Sequence, residues 1–391
     1  MGTSLPNQFR KLLMDNQRKN VFLIGLYRIF SRMYFYLPII FPLFYIHGQT
    51  DLEIEILLAI YSLSIVFLSD MIKLVTTRVG HKTTLIAGEL FKILGIFLLI
   101  FHANDFVISI IAQLLMGLGY TFVAGNDTVI LQQTFKDINS EKYQQIQAKT
   151  NSYMFIALLC SGLCGALFFR HNSTLILILS MAAAFIAALC ILPIKYTPIT
   201  HTVQLNKGGA PSNKKAITYY CLTRGLILPV FVGILPYLFF VLMKIRMEWF
   251  AILISSFTLS GFISSKYLTR FAKKYTFLFL TKWSLLLIFV ALALLLFKTL
   301  LMCFIATSLL GLLSGCVRPV TVSKINNELY SAEKTLKQAE FHYGIFSALI
   351  LLLAGILLKY LSFDTYILIL ISLSAIYGYS RLFQQPKGDP S

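Results

Sequence analysis

Residues Val21 to Ile46 read VFLIGLYRIFSRMYFYLPIIFPLFYI. The run is longer than the roughly 20 apolar residues a helix needs to cross a bilayer. It nevertheless carries two arginines, Arg28 and Arg32, at i, i+4. An arginine at bilayer depth costs at least about 2.5 kcal/mol on insertion scales. Charges retained at that cost must face protein, water or a ligand, and Tyr36 extends the same helical face at i+4 from Arg32. The run therefore predicts a membrane-spanning helix with a polar, functional face.

The composition of the whole chain agrees. Of 391 residues, 57% are hydrophobic and only 13% charged, and the mean hydropathy is +0.76. A soluble domain carries about twice that share of charge. Eleven further apolar runs follow the first, at 52–75, 83–102, 106–132, 151–169, 173–194, 217–242, 249–268, 275–297, 300–322, 341–361 and 365–382. The fold class is an all-α polytopic membrane protein with twelve transmembrane helices, here called spans 1 to 12.

The formal charge of +18, from 34 Lys and Arg against 16 Asp and Glu, does not point to nucleic acid. The basic residues lie in short loops on alternate sides of the apolar runs. With the N-terminus assigned to the cytoplasm, the even loops collect Arg78, Lys82, Lys136, Lys142, Lys149, Lys214, Lys215, Arg270, Lys273, Lys274, Lys334 and Lys337. The odd loops hold only Arg170, Lys244, Arg246 and Lys298. That is the positive-inside bias, and it places both termini in the cytoplasm and the protein in the cytoplasmic (inner) membrane. The basic N-terminal segment precedes a run too long for a signal peptide, so span 1 is expected to persist. The six cysteines fall inside apolar runs and lack metal-ligand spacing.

The chain also repeats itself. Residues 77–82 read TRVGHK after span 2, and residues 269–274 read TRFAKK after span 8. Span 1 carries LYR at 26–28 before Leu37-Pro38, and span 7 carries LTR at 222–224 before Leu235-Pro236. Residues 195–216, with Gly208-Gly209, two prolines and four lysines, read as a linker. The expected organisation is a tail (1–19), a six-helix half (20–194), a cytoplasmic linker (195–216), a second half (217–383) and a short tail (384–391). Six plus six spans around a polar linker is the pattern of a duplicated secondary transporter.

At these residues the chain resembles the major facilitator superfamily (MFS). The family signature between the second and third helices is roughly G-x-L-x-D-R-x-G-R-R/K. Here it survives as Arg78, Gly80, His81 and Lys82, with Thr77 in place of its Asp and Lys73 in place of its first Gly. Ala124-Gly125-Asn126-Asp127 looks like the S-G-x-D of a bacterial efflux-type branch, and residues 141–149, EKYQQIQAK, are similar to the same branch. Gln113 stands where many proton antiporters of the family have a fourth-helix arginine, and span 5 reads SGLCG without their Gly-Pro pair. The resemblance implies MFS-like 6+6 pseudo-symmetric halves and a central cavity lined by spans 1, 4, 7 and 10. It also implies cytoplasmic gating contacts at Asp70, Arg78, Gly80, Lys82 and Arg270.

On those four spans the candidate substrate contacts are Arg28, Arg32 and Tyr36, Asp127, Arg224 and Arg318. A guanidinium holds carboxylate or phosphate bidentately and keeps its proton, so the surplus suits an anion. Structural readings compete: one arginine pairs with Asp127, others snorkel, and Tyr36 is core. Asp127 and Glu89 are the candidates for proton coupling, Glu89 against a static pair with Lys92 at i+3. Glu340 and His342 read as a cap or loop contact opening span 11. No phosphate loop, metal cluster or nucleophile–base pair is present, so the chain is not expected to be an enzyme or to need a cofactor or metal. The expected partners are a small organic solute, a proton or other coupling ion, and membrane lipid. The reading is proton-coupled export of an anionic solute, polycarboxylate or siderophore-like, or an amphiphilic acid. The alternatives are efflux of hydrophobic or cationic drugs, a lipid flippase or a receptor.

Overall fold

The computed structural model describes residues 7–134, 141–169, 171–194, 214–268, 277–325 and 332–378, and these contain helices and no strand. By length and composition, six helices suffice to cross a membrane: those at 81–102, 106–131, 173–191, 217–242, 300–317 and 338–360. Five shorter apolar helices, at 37–46, 153–168, 247–263, 279–295 and 363–376, and the long helix Asp51–Val79 occupy the other spans. The chain is a twelve-helix bundle. Its linker end is where span 1 begins, span 6 ends and span 7 begins; the loop at 47–50 marks the distal end.

Span 1 is not one continuous helix. It runs as α-helix from Asn7 to Phe30, breaks, and resumes as a 3-10 turn at Leu37–Ile39 and α-helix at Ile40–Ile46. Pro38 explains the break, since it donates no N–H and its ring would clash with the carbonyl four residues back. The backbone tightens there: Arg32 N donates to Ile29 O at 3.2 Å and Met33 N to Phe30 O at 3.2 Å. Arg28, Arg32 and Tyr36 therefore do not share the helical face their spacing suggests. Tyr36, 5% exposed, belongs to the apolar core rather than to a polar face.

Span 4 breaks as well, after Phe106–Val123 and before Asn126–Thr134. Gly125 takes φ +85°, a left-handed value glycine adopts without a Cβ penalty. Asn126 Nδ2 donates to Phe122 O across the break at 2.8 Å. In span 7, Pro229 and Pro236 precede the π-helical segments Val230–Ile234 and Tyr237–Leu242.

Several helices outrun the apolar stretches that announced them. Span 2 is Asp51–Val79, opened by a capping box in which Thr50 N donates to Glu53 Oε2 at 2.7 Å and Thr50 Oγ1 accepts from Glu53 N at 3.3 Å. Span 5 is Glu141–Phe168 and span 11 is Ala332–Tyr360, so stretches read as polar connectors are helical. Contact between the halves is chiefly span 2 on span 11 and span 5 on span 8.

Candidate functional site

Arg28 is 2% exposed and held on three sides. Its Nε donates to Asp127 Oδ2 at 2.7 Å, Nη1 to Thr150 Oγ1 at 2.7 Å and Nη2 to Thr128 Oγ1 at 3.1 Å. The break at Gly125 makes this possible. It starts a new helix in which Asp127 sits in the first turn, where exposed N–H groups favour a carboxylate. Spans 1, 4 and 5 are thereby tied together around one ion pair. Arg28 and Asp127, both candidates from sequence for a solute cavity, are each other's partners, as the competing structural reading of one arginine paired with Asp127 has it.

A second pair lies beside it. Lys92 Nζ is 2.6 Å from Glu89 Oε2, both wholly or almost wholly buried. Glu89 Oε1 accepts from Ser31 Oγ at 2.6 Å and from Tyr27 at 3.0 Å, while Oε2 faces the Lys92 ammonium. Lys92 also donates to Ser31 Oγ at 3.2 Å.

Arg32 behaves differently. Leaving the helix at the Pro38-induced break, it is partly exposed and, among the described residues, forms no ion pair. Its guanidinium carbon stands 5.2 Å from the centre of the Tyr120 ring, a cation–π distance, and Nη1 donates to Tyr34 at 3.4 Å. Across the interface, Arg224 Nη1 is 2.9 Å from Glu340 Oε1, with the two side chains 31% and 40% exposed. Arg224 also bonds the Tyr220 hydroxyl, which donates to Glu340, and lies 4.9 Å from the Tyr343 ring centre. The Tyr120 phenol is within electrostatic reach of Arg32, Arg224 and Glu340. The two arginines thus lie on either side of Tyr120, in a tyrosine-lined and partly exposed site between the halves, nearer the linker end.

Glu340 was the residue sequence reasoning undervalued. Read from sequence as a cap or loop contact, it lies at the start of the apolar part of span 11, in the third turn of a helix that begins at Ala332, and reaches Arg224 from there. Of the remaining candidates, Arg318 lies in helix Leu300–Ile325, but its side chain is outside the described residues, as is that of Asp70. Arg270 lies outside the described residues altogether. In the signature loop, Arg78 is exposed and Gly80 has φ +85°, ψ 156°. His81 Nδ1 is 2.6 Å from Asn126 Oδ1, so the loop reaches the span 4 break. Lys82 donates to the carbonyls of Leu192 and Ile194, capping the end of span 6. No group of three or more His, Cys, Asp or Glu residues is placed to hold a metal ion among the described residues.

Two six-helix halves with a polar, partly exposed site between them define a multi-pass membrane protein of the secondary-transporter class. The family description of the Major Facilitator Superfamily matches residues 21–336, and the chain belongs to that superfamily. No curated protein matches it significantly in sequence. Among solved structures it is similar in fold to the nucleoside transporter NupG, at TM-score 0.74 and 13% identity, covering 95% of this chain and 100% of that one. A NupG mutant gives TM-score 0.75 and 13% identity over 94% and 99% of the two chains.

Proposed function

We propose that the protein moves a small organic solute bearing a negative group and a flat ring or apolar body, by alternating access and with proton coupling. The observation that carries this reading is Arg32, a partly exposed guanidinium stacked on Tyr120 and without an ion pair among the described residues. An anionic group on the solute would pair with this guanidinium, and the tyrosines would hold the rest by stacking. Arg224 would be the second anchor, reached when the solute's anion displaces Glu340. The displaced carboxylate then gains by taking a proton, which supports coupling to the proton gradient. With the linker end in the cytoplasm, as the basic loops suggest, a cleft at these arginines would face inward. Export is the favoured direction, on the likeness of residues 124–127 to the efflux-type branch.

A second reading rests on the tyrosines and on the fold likeness to a nucleoside transporter: the solute is a neutral nucleoside and Arg32 is only a wall of the cleft. Flux in proteoliposomes under an imposed pH gradient separates the two. The panel is aromatic carboxylates, nucleosides and organic cations, each run with wild type and Arg32→Gln. Carboxylate flux that collapses in Arg32→Gln and with the pH gradient is the expected result. Nucleoside flux indifferent to Arg32→Gln establishes the second reading, and cation flux indifferent to it returns the drug-efflux alternative.

A further inference from the structure

Glu55 has no role in the cleft, yet it is 1% exposed, and neither carboxylate oxygen has a hydrogen-bond partner. It sits near the distal end of span 2, on the stripe Glu55, Leu58, Ser62 and Val66 that faces span 11. The other half of the protein is shaped to receive it. A Cβ on Gly233 of span 7 would stand 2.6 Å from Glu55 Oε2 and 2.8 Å from Oε1. A Cβ on Gly355 of span 11 would stand 3.0 Å from the Glu55 Cβ. Gly233 lies in the π-helical segment Val230–Ile234, a distortion that recurs at functional positions. Two glycines from two spans of the C-terminal half thus form a notch holding one carboxyl group from the N-terminal half.

The groups around the notch decide its protonation. On span 2 itself Asp51, one turn earlier, is a carboxylate within electrostatic reach. Span 12 contributes the Tyr366 phenol, which donates to Ile350 O at 3.3 Å instead of to Glu55. Span 7 presents Gly233 and, towards Asp51, the Tyr237 phenol; span 11 presents Gly355 and the Leu351 side chain. No cation pairs with Glu55 among the described residues. An ionised carboxylate in such a place would carry an uncompensated desolvation cost.

We propose that Glu55 is a proton-binding site that links protonation to closure of the distal end. With the proton bound, the neutral carboxyl fits the glycine notch and the halves seal. When the proton leaves, the carboxylate must reach water, and spans 2, 7 and 11 separate at that end. The inference rests on the transport reading for its purpose, but its test needs no solute.

The full-length protein in lipid nanodiscs is first examined by infrared difference spectroscopy, wild type against Glu55→Gln, an isosteric change. The expected result is a protonated-carboxyl C=O band at neutral pH in wild type that the variant lacks. Spin labels at Thr50→Cys and Tyr360→Cys, with the six native cysteines replaced, then report the distal separation. One linked proton requires the closed-to-open ratio to fall about tenfold per pH unit once the band begins to disappear. Glu55→Gln should stay closed at every pH, and Gly233→Ala, which crowds the carboxyl, should open at lower pH than wild type. The proposal is overturned by absence of the band, by a band that persists while the distal end opens, or by the same pH response in Glu55→Gln. It is equally overturned if sodium rather than pH removes the band. Failure of all solutes in the flux panel would leave these results standing and remove only the transport reading.

Discussion

Arg28→Gln and Arg32→Gln change the same residue type in the same span and should have opposite consequences. Arg28 is locked by Asp127, Thr150 and Thr128, whereas Arg32 rests on Tyr120, by its ring and a hydrogen bond, and on a long hydrogen bond to Tyr34. The threonines lose little in Arg28→Gln, since Thr150 Oγ1 also donates to Ile146 O at 3.0 Å. The cost falls on Asp127, a carboxylate with a 12% exposed side chain left without its guanidinium. Stranding one partner of a buried pair costs about 3–5 kcal/mol. Arg32→Gln forfeits a cation–π contact, about 0.5–1 kcal/mol. Unfolding in detergent, followed by the fluorescence of Trp249 and Trp283, measures both. The double variant Arg28→Gln/Asp127→Asn should recover stability relative to the sum of its singles, with a coupling of at least about 1 kcal/mol. In proteoliposomes Arg32→Gln should abolish flux while the protein stays folded. Equal stability of the two single variants, with transport lost in both, would refute the assignment and make Arg28 a solute contact.

Other substitutions probe the frame that holds the site. Gly119→Ala in span 4 would set a Cβ 2.6 Å from Gly88 O and 2.7 Å from Lys92 Cγ. Because the carbonyl belongs to helix backbone, the expected loss is about 1–3 kcal/mol in the same unfolding assay. Gly80→Ala forces φ +85°, ψ 156° on a residue with a Cβ, costing about 1–3 kcal/mol; hydrogen exchange at residues 77–84 should accelerate before the bundle unfolds. Glu89→Gln leaves Lys92 charged and buried, so a loss of about 3–5 kcal/mol is expected. The exposed pair Lys298–Asp364 serves as control: Asp364→Asn should change stability by less than about 1 kcal/mol.

The architecture was legible because apolar runs near bilayer length and loop charges follow from the solvent, whichever side chains fill the core. The breaks inside spans 1 and 4 were harder to read. Pro38 and Gly125 were visible, but the apolar run continues on both sides of Pro38, and a helical-wheel argument then put Arg28, Arg32 and Tyr36 on one face. Pair partners were legible only where they lie on one helix, as for Glu89 and Lys92. Arg28–Asp127 was one of several possible pairings until the packing of spans 1, 4 and 5 was known. Glu55 escaped because acidic residues at a helix start have an ordinary explanation as caps. Glu53 is such a cap, and the stripe through Leu58, Ser62 and Val66 was the signal that Glu55 is not.

On the proposed function, the repeat explains why the exchangeable ion pair lies in the C-terminal half while its counterpart in the N-terminal half is fixed. Arg28 and Arg224 occupy corresponding places, LYR in span 1 and LTR in span 7, and each meets one carboxylate. The partner of Arg28 comes from span 4 of its own half, at a helix start created by Gly125, with two threonines completing the shell. That pair is sealed, and breaking it requires unpacking the half. The partner of Arg224 comes from span 11, and both side chains remain 31% and 40% exposed. A partly hydrated pair is held weakly, because water and an incoming anion compete for the same guanidinium. On the proposed function, equivalent residues have diverged into a fixed strut and an exchangeable contact. Removing Glu340 should therefore leave the fold intact while altering the solute cycle. In Glu340→Gln, Arg224 is open to anions at all times, so counterflow exchange of a bound carboxylate should persist while pH-driven accumulation disappears. Loss of both processes together would place Glu340 in the frame of the protein and not in its cycle.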